Sequence, residues 1–324
     1  MRLFTFLVIE VLLLPVSLIG CSLAVLWAIA ISQQKQLSFT ALSPLAGRWL
    51  LHQQGIRLDA ATDSLVKHLP SVNGALSLMG LGPTLLATGI SDYKLLSVPA
   101  PGSETLLTAI TARTVFFDRA LAQSLAEQPA VEQIVVLGAG FDTRLFTQCL
   151  DQNLALFEVD QLEIQQVKQQ ALQKSGVDLS EIHFVTVNFN QGDWEEKLIA
   201  AGFVRGRKTF FLWEGVTYYL TEAVVQRTLQ KMADICGEGS SLAFDFFSWR
   251  LITGSDAWWL YLGVSLLDWL GEPFQFGIDT DKGAESQLSR VLLSAGFQLS
   301  ELQLMGTAQP TGPFGGLVIA RRHL

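Results

Sequence analysis

The residues most suited to chemistry are a glycine turn and an acid that follows it. Val135-Val136-Leu137-Gly138-Ala139-Gly140-Phe141-Asp142-Thr143-Arg144 runs from an apolar stretch straight into two glycines. Gly138 allows a tight turn, Gly140 lets a ligand approach the backbone, and the following helix start offers unpaired N–H groups. A plain strand-to-helix turn is the bland reading of such a pair. The next apolar run ends in Phe157-Glu158-Val159-Asp160, which puts Asp160 22 residues after Gly138. At that separation an acidic side chain commonly accepts hydrogen bonds from ribose hydroxyls. A dinucleotide site usually needs a third glycine to cradle pyrophosphate, and here that position is Thr143. S-adenosylmethionine has adenine and ribose but a methionine tail in place of phosphate, so a methyl donor is favoured over NAD.

These residues need a sheet to hold them. From about Ala130 the chain alternates short apolar runs with helical stretches, the pattern of a parallel α/β sheet. Seven strands are expected, at Ile134–Leu137, Leu154–Val159, Phe184–Val187, Thr209–Trp213, Ser241–Phe247, Phe297–Leu304 and Gly316–Ala320. The first few are apolar throughout, as strands covered on both faces should be. Gln161–Lys174 and Thr221–Cys236 read as helices, the second capped by Thr221.

The same stretches resemble the leucine carboxyl methyltransferase-like branch of the class I S-adenosylmethionine-dependent methyltransferases, over roughly residues 90–322. The resemblance rests on ordered motifs: Ala112-Arg113-Thr114 with Asp118, the Gly138–Arg144 turn, Glu158-Val159-Asp160-Gln161, Trp213-Glu214-Gly215 with Tyr218-Tyr219-Leu220, and Gly271-Glu272-Pro273-Phe274-Gln275-Phe276-Gly277-Ile278. It implies a Rossmann-like α/β fold with a seven-stranded, mostly parallel sheet and helices on both faces. It also implies roles at matching positions. Arg113 would meet the methionine carboxylate of the cofactor, a bidentate task suited to guanidinium. The Gly138-Ala139-Gly140 turn would flank the methionine moiety, Asp160 would hold the ribose, and Glu214 would lie beside the methionine amino group. The family usually has Asp-Leu after the third strand to hold adenine; this chain departs from it with Asn188-Phe189, where Asn188 can still accept from the adenine amino group. For each there is a structural alternative: Arg113 and Asp118 as a helix-surface pair, Glu214 as a solvated strand end, Tyr219 as a core aromatic.

Composition bounds the partners. With 22 Lys and Arg against 30 Asp and Glu the net charge is −8, and basic residues are too few to form a stripe for nucleic acid. Charged residues are 16% and hydrophobic ones 49%, which excludes a disordered chain. Three separated cysteines and four scattered histidines have no metal-ligand spacing, so no metal is expected. Much of the apolar excess is N-terminal. Between Leu3 and Ile31 the only charge is Glu10. A run of about 20 residues spans roughly 30 Å of hydrocarbon, so residues 1–31 read as a single-pass membrane anchor. A cleaved signal, or a lipoprotein signal at Leu18-Ile19-Gly20-Cys21, fits less well because the apolar run continues ten residues past Cys21. Lys35, Arg48 and Arg57 after the span point to a cytoplasmic body. Residues 32–90 read as a connector and helical cap, with the uncharged stretch 69–91 taken as a lid rather than a second span. Residues 91–324 form the catalytic domain.

The expected activity is O-methylation of a carboxyl group on a small molecule. A carboxylate is ionised at neutral pH and needs no general base; alignment does much of the work of methyl transfer. Tyr219 is the candidate for positioning the acceptor, with His183 the other side chain weighed as a base. The aromatic stretch from Phe246-Phe247-Ser248-Trp249 to Trp258-Trp259-Leu260-Tyr261 and Trp269 reads either as helix-packing core or as the wall of a pocket for a hydrophobic acceptor. Alternatives are a protein carboxyl methyltransferase, since the family includes an enzyme acting on a protein C-terminus, a non-catalytic nucleotide-binding membrane scaffold and, third, an NAD-dependent oxidoreductase.

Overall fold

The computed structural model describes residues 1–94, 97–149, 153–255 and 258–323, without the side chains of residues 258 and 259. Its described chain divides into two compact units, residues 1–97 with 166–178, and residues 98–165 with 179–324.

The first unit begins with α1 (Arg2–Lys35), a helix of 34 residues that runs unbroken through Pro15 and Cys21. Gln36 ends it in the left-handed conformation. The connector forms α2 (Leu42–Gln53) and α3 (Ala60–His68), the latter capped by Asp59, whose side chain accepts from Thr62 N. α4 (Gly74–Ser91) starts at Asn73, which caps Leu76 N, and it also contains a proline, Pro83. α1 and α4 are both long and apolar enough to cross a membrane. They pack antiparallel, with Gly20 against Gly80 so closely that a Cβ on Gly20 would lie 2.3 Å from Gly80 N. His68 Nδ1 of α3 meets Ser175 Oγ at 2.9 Å, within the same unit.

The second unit is built on seven strands: β1 (Gln133–Leu137), β2 (Ala155–Asp160), β3 (Ile182–Thr186), β4 (Thr209–Trp213), β5 (Ser241–Phe247), β6 (Phe297–Met305) and β7 (Gly315–Arg322). Their order is β3-β2-β1-β4-β5-β7-β6, with β7 antiparallel to both its neighbours. Strands β1 and β4 are buried along their whole length because helices cover both faces, which is why their sequences are apolar without alternation. All seven expected strands form, each within two residues of its expected bounds. The helices along this part of the chain are α5 (Ala109–Ala126), α6 (Arg144–Thr147), α7 (Leu162–Lys174), most of which belongs to the first unit, α8 (Trp194–Ala200), α9 (Glu222–Ile235), α10 (Trp249–Thr253), α11 (Trp258–Trp269) and α12 (Ala284–Ser294). Thr221 caps α9 as expected, accepting from Val224 N. The largest fully buried side chains include Trp194, Trp213, Phe157 and Phe211, which pack between the sheet and its helices.

The chain leaves β1 toward β2 and β3 on one side and returns to β4 on the other. Open α/β sheets bind ligands at such a reversal, outside the carboxyl ends of the strands.

Candidate functional site

The turn after β1 sits at that reversal. Gly138 and Gly140 both have positive φ, 61° and 49°, a conformation that side-chain-bearing residues rarely adopt. A Cβ on Gly138 would lie 2.3 Å from Val216 Cγ2, so the turn is both conformationally and sterically reserved for glycine. Ala139 between them is buried. Gly138 N donates to Val159 O at 2.7 Å, tying the turn to β2.

Asp160, the last residue of β2, fastens the turn from the other side. Its Oδ2 accepts from Gly140 N at 2.5 Å and its Oδ1 from Gln161 N at 2.7 Å. The carboxylate is therefore fixed in orientation by two backbone donors and remains half-buried at the strand end. Asn188 follows β3 and is exposed; its Oδ1 accepts from Asn190 N at 3.0 Å and caps the 3-10 turn at Phe189–Gln191. Phe189 leans toward Trp194 and Trp213, with ring centroids 6.4 and 6.5 Å away. The expected helix N-terminus beyond the glycines is only the single turn α6. Its first N–H, of Arg144, is taken by Asp142 Oδ1 at 2.7 Å, so it is not the free donor that the sequence led us to expect.

On the β4 side the turn faces a buried charge network. Arg113, from α5, donates through Nε to Glu214 Oε1 at 3.0 Å and through Nη1 to Asp245 Oδ2 at 3.1 Å and Tyr218 Oη at 3.2 Å. Arg144 donates through Nη1 to Glu214 Oε2 at 2.6 Å and to Asp142, through Nε to Asp118 Oδ1 at 2.6 Å, and through Nη2 to Thr114 O at 3.2 Å. Glu214 thus bridges two guanidiniums. Asp245 also accepts from Gly215 N at 2.7 Å. The side chains of Arg113, Arg144, Glu214 and Asp245 are no more than 7% exposed. Such burial is tolerable only because the charges are paired and hydrogen-bonded.

These contacts correct two alternatives. Arg113 and Asp118 are not a surface pair; each reaches a different partner inside the unit. Glu214 is not a solvated strand end. The network also sets protonation. Burial opposes charge on Arg113, but Tyr218, Asp245 and Glu214 more than offset it and hold the guanidinium ionised. Burial pushes the Tyr218 hydroxyl upward, against the pull of Arg113. Burial likewise raises the Asp245 carboxyl, with Arg113 and the Gly215 N–H opposing and Glu214 adding to the rise.

Beside the network lies an aromatic group. Tyr218 stacks on Phe247 with centroids 4.2 Å apart, and Phe274 meets Tyr218, Tyr219 and Phe247 at 5.3, 5.4 and 5.7 Å. Gln275 pins this corner, donating from its N to Tyr218 O and from Nε2 to Tyr219 O, both at 2.7 Å. Tyr219 is half-buried, and it is Tyr218, not Tyr219, whose hydroxyl binds Arg113. His183 lies elsewhere: it is the second residue of β3, exposed and stacked on Phe157 at 5.0 Å, away from the carboxyl edge. Of the aromatic insertion, Trp249, Tyr261 and Trp269 are exposed rather than core-packed. The side chains of Trp258 and Trp259 fall outside the described residues. Among the described residues no group of three or more His, Cys, Asp or Glu is placed to hold a metal.

Tyr218 and Asp245 were not singled out as ligand-site residues from the sequence, and Arg144, readable from it either as a ligand contact or as ordering the first helix turn, does the latter here through Asp142. A signal existed for Asp245, a lone carboxylate inside the apolar run Leu242-Ala243-Phe244-Asp245-Phe246-Phe247.

Residues 88–233 match the leucine carboxyl methyltransferase family model. A protein of Mycobacterium marinum named "Putative S-adenosyl-L-methionine-dependent methyltransferase" is 33% identical over 45% of this chain and 46% of its own length. A protein of the same name from Mycobacteroides abscessus is 28% identical over 63% of each chain. The chain spans about half the length of the first of these relatives. The solved structure of magnesium protoporphyrin IX methyltransferase from Synechocystis with bound SAH aligns with 69% of this chain and 90% of its own, at 14% identity and a TM-score of 0.43.

Proposed function

We propose that this chain, whose residues 88–233 match the leucine carboxyl methyltransferase family model, is an S-adenosylmethionine-dependent O-methyltransferase that methylates a carboxyl group of a small, hydrophobic acceptor. The observation that carries the reading is the pairing, across one sheet reversal, of a glycine turn locked by Asp160 with the buried Arg113–Glu214–Arg144 network.

The residues present suit the cofactor. Two positive-φ glycines present bare backbone at the strand end, where the methionine moiety would lie. Asp160, already oriented by two backbone donors at the strand end, would hold the ribose hydroxyls. Asn188 and the backbone at Phe189 would border adenine. Arg113 and Glu214 offer opposite charges for the carboxylate and ammonium of an amino-acid tail, and the surplus of carboxylates over guanidiniums suits a cationic ligand. When bound, the cofactor supplies a methyl group on a sulfonium sulfur. The protein's own part is alignment and exclusion of water. An ionised carboxylate attacks without a base, which fits a site whose nearest hydroxyl, Tyr218, is committed to Arg113 and held protonated. Tyr219, beside it and less buried, would orient the acceptor oxygen. The aromatic group of Tyr218, Tyr219, Phe247 and Phe274 supports an apolar acceptor body. The apolar helix α1 supports association with a membrane, where such acceptors partition, and the basic residues of the connector support a cytoplasmic face.

The test is methyl transfer from S-methyl-labelled S-adenosylmethionine to matched acids of rising chain length, with the corresponding alcohols as controls. Base-labile methyl esters, formed faster as the chain lengthens, are expected. Methylation of alcohols alone, or of small polar acids alone, would overturn the acceptor reading.

A further inference from the structure

Glu214 is held by two guanidiniums, one on each oxygen, and the two differ in what else they do. Arg113 Nε donates to Oε1 at 3.0 Å and Arg144 Nη1 to Oε2 at 2.6 Å. Arg113 also donates through Nη1, to Tyr218 and Asp245. Among the described residues its Nη2 makes no hydrogen bond. That nitrogen stands beside Gly215, where an added Cβ would lie 3.7 Å from it. Arg144, by contrast, has no exposed side-chain surface and is enclosed by Asp118, Asp142, Glu214 and Thr114 O. Burial opposes its charge, but Asp142, Glu214 and Asp118 more than offset it and keep the guanidinium ionised. Arg144 has no face to offer a ligand, so whatever it does there it does through its partners.

The partner that matters is Glu214. Nε and Nη2 share one edge of a guanidinium, and a carboxylate tends to close on such an edge with both oxygens, in two parallel bonds. Glu214 and Arg113 do not close in that way: Oε1 rests on Nε, while Oε2 is turned to Arg144. Arg144 is itself kept from following Glu214. Asp118 and Thr114 O hold it from α5, and Asp142 holds it from its own turn. Arg113, Thr114 and Asp118 all lie on α5, so both guanidiniums that meet Glu214 are referred to one rigid helix.

We propose that Arg144 is a positioning residue of the candidate site: by holding Glu214 Oε2 it prevents Glu214 from closing on Arg113, so that Arg113 Nη2 faces the carboxylate of the cofactor's amino-acid tail and Glu214 faces its ammonium. The proposal rests on the methyl-donor reading above and adds to it a residue that touches no ligand, with Asp118 as its anchor. Without Arg144, Glu214 and Arg113 neutralise each other, and the tail loses both of its contacts while adenine and ribose keep theirs.

The test compares two probes in the full chain in mild detergent: S-adenosylhomocysteine, and 5′-methylthioadenosine, which keeps adenine, ribose and sulfur but lacks the amino-acid tail. Calorimetric titration gives both dissociation constants for the wild type, Arg144→Lys, Asp118→Ala, Glu214→Gln and the Arg144→Lys/Glu214→Gln double variant, each checked for folding by circular dichroism. Lysine keeps the charge that the buried carboxylates need but cannot make the fork. Arg144→Lys should weaken S-adenosylhomocysteine roughly tenfold, the size of a coupling within one hydrogen-bonded network, and leave 5′-methylthioadenosine unchanged. Asp118→Ala, which removes an anchor without touching Arg144, should act in the same direction by less, and it carries the test if Arg144→Lys does not fold. The double variant should bind no more weakly than the weaker single one. Equal weakening of both probes, as general loosening would give, overturns the positioning role, as do an unweakened S-adenosylhomocysteine or additive losses in the double variant; each of these leaves the methyl-donor reading standing. A wild-type chain that binds neither probe overturns both.

Discussion

The helix pair α1–α4 and the carboxyl edge of the sheet each invert the ordinary rule of apolar inside, charged outside, and for opposite reasons. At the sheet edge, two guanidiniums and four carboxylates are gathered within hydrogen-bond reach of one another, Asp118 being the least covered at 22% side-chain exposure. In the helix pair, Leu12 and Leu26 stand 73% and 62% exposed while glycines meet inside. Charge is tolerated inside when every partner is built in; apolar bulk is tolerated outside when the surrounding phase is not water. On the proposed reading the first inversion is a binding device and the second an address.

The comparison can be broken most forcefully at Arg144. Arg144→Met removes the cation shared by Asp118, Asp142 and Glu214, and a cost of about 3–5 kcal/mol is expected because carboxylates stay buried with less compensation. Urea unfolding of the full chain in mild detergent measures it; a cost no larger than that of an exposed-arginine variant such as Arg205→Met would show that the network is incidental.

The two glycine contacts sharpen the contrast. Gly20→Leu drives a side chain into the Gly80 backbone, and about 1–3 kcal/mol of strain is expected in the helix pair, read as faster amide exchange across residues 74–91 with residues 133–160 unchanged. Gly138→Ala should act the other way round, costing about 1–2 kcal/mol for the left-handed backbone and disturbing the sheet edge without altering residues 74–91. Val216→Ala should recover part of that second loss, since Val216 Cγ2 is what the new Cβ would meet.

The smallest effect is a pH dependence. The Asp245 carboxyl is raised in the folded protein above its ordinary value of 3.8, by burial first. Its contribution to stability is therefore complete below the unfolded value and is lost as pH rises through the raised folded value. Relative to Asp245→Asn, the wild-type chain should lose stability as pH climbs out of the acid range and then level off. A difference that grows with pH would mean instead that Arg113 dominates and lowers this carboxyl.

Much of the sheet was legible because β1, β4 and β5 are covered on both faces and must be apolar throughout, while Thr221 marks a helix start by local chemistry alone. Gly138, Gly140 and Asp160 were legible for the same reason: their spacing is set by one strand-turn-helix unit. Asp245 and Tyr218 were not, because their partners are fixed by register across strands. Pairing of Trp213 with Phe244 is what brings Asp245 next to Gly215, and no local pattern encodes it. The one-turn length of α6 and the closeness of Gly20 to Gly80 likewise depend on what packs against them.

The central claim is that the reversal between β1 and β4 holds a methyl donor. Its most direct test is calorimetric titration of S-adenosylmethionine, S-adenosylhomocysteine and NAD into the full chain in mild detergent, alongside Asp160→Ala and Arg113→Ala variants whose folding is checked by circular dichroism. The account predicts saturable binding of the first two ligands, lost in both folded variants; no binding, or binding of NAD alone, would contradict it.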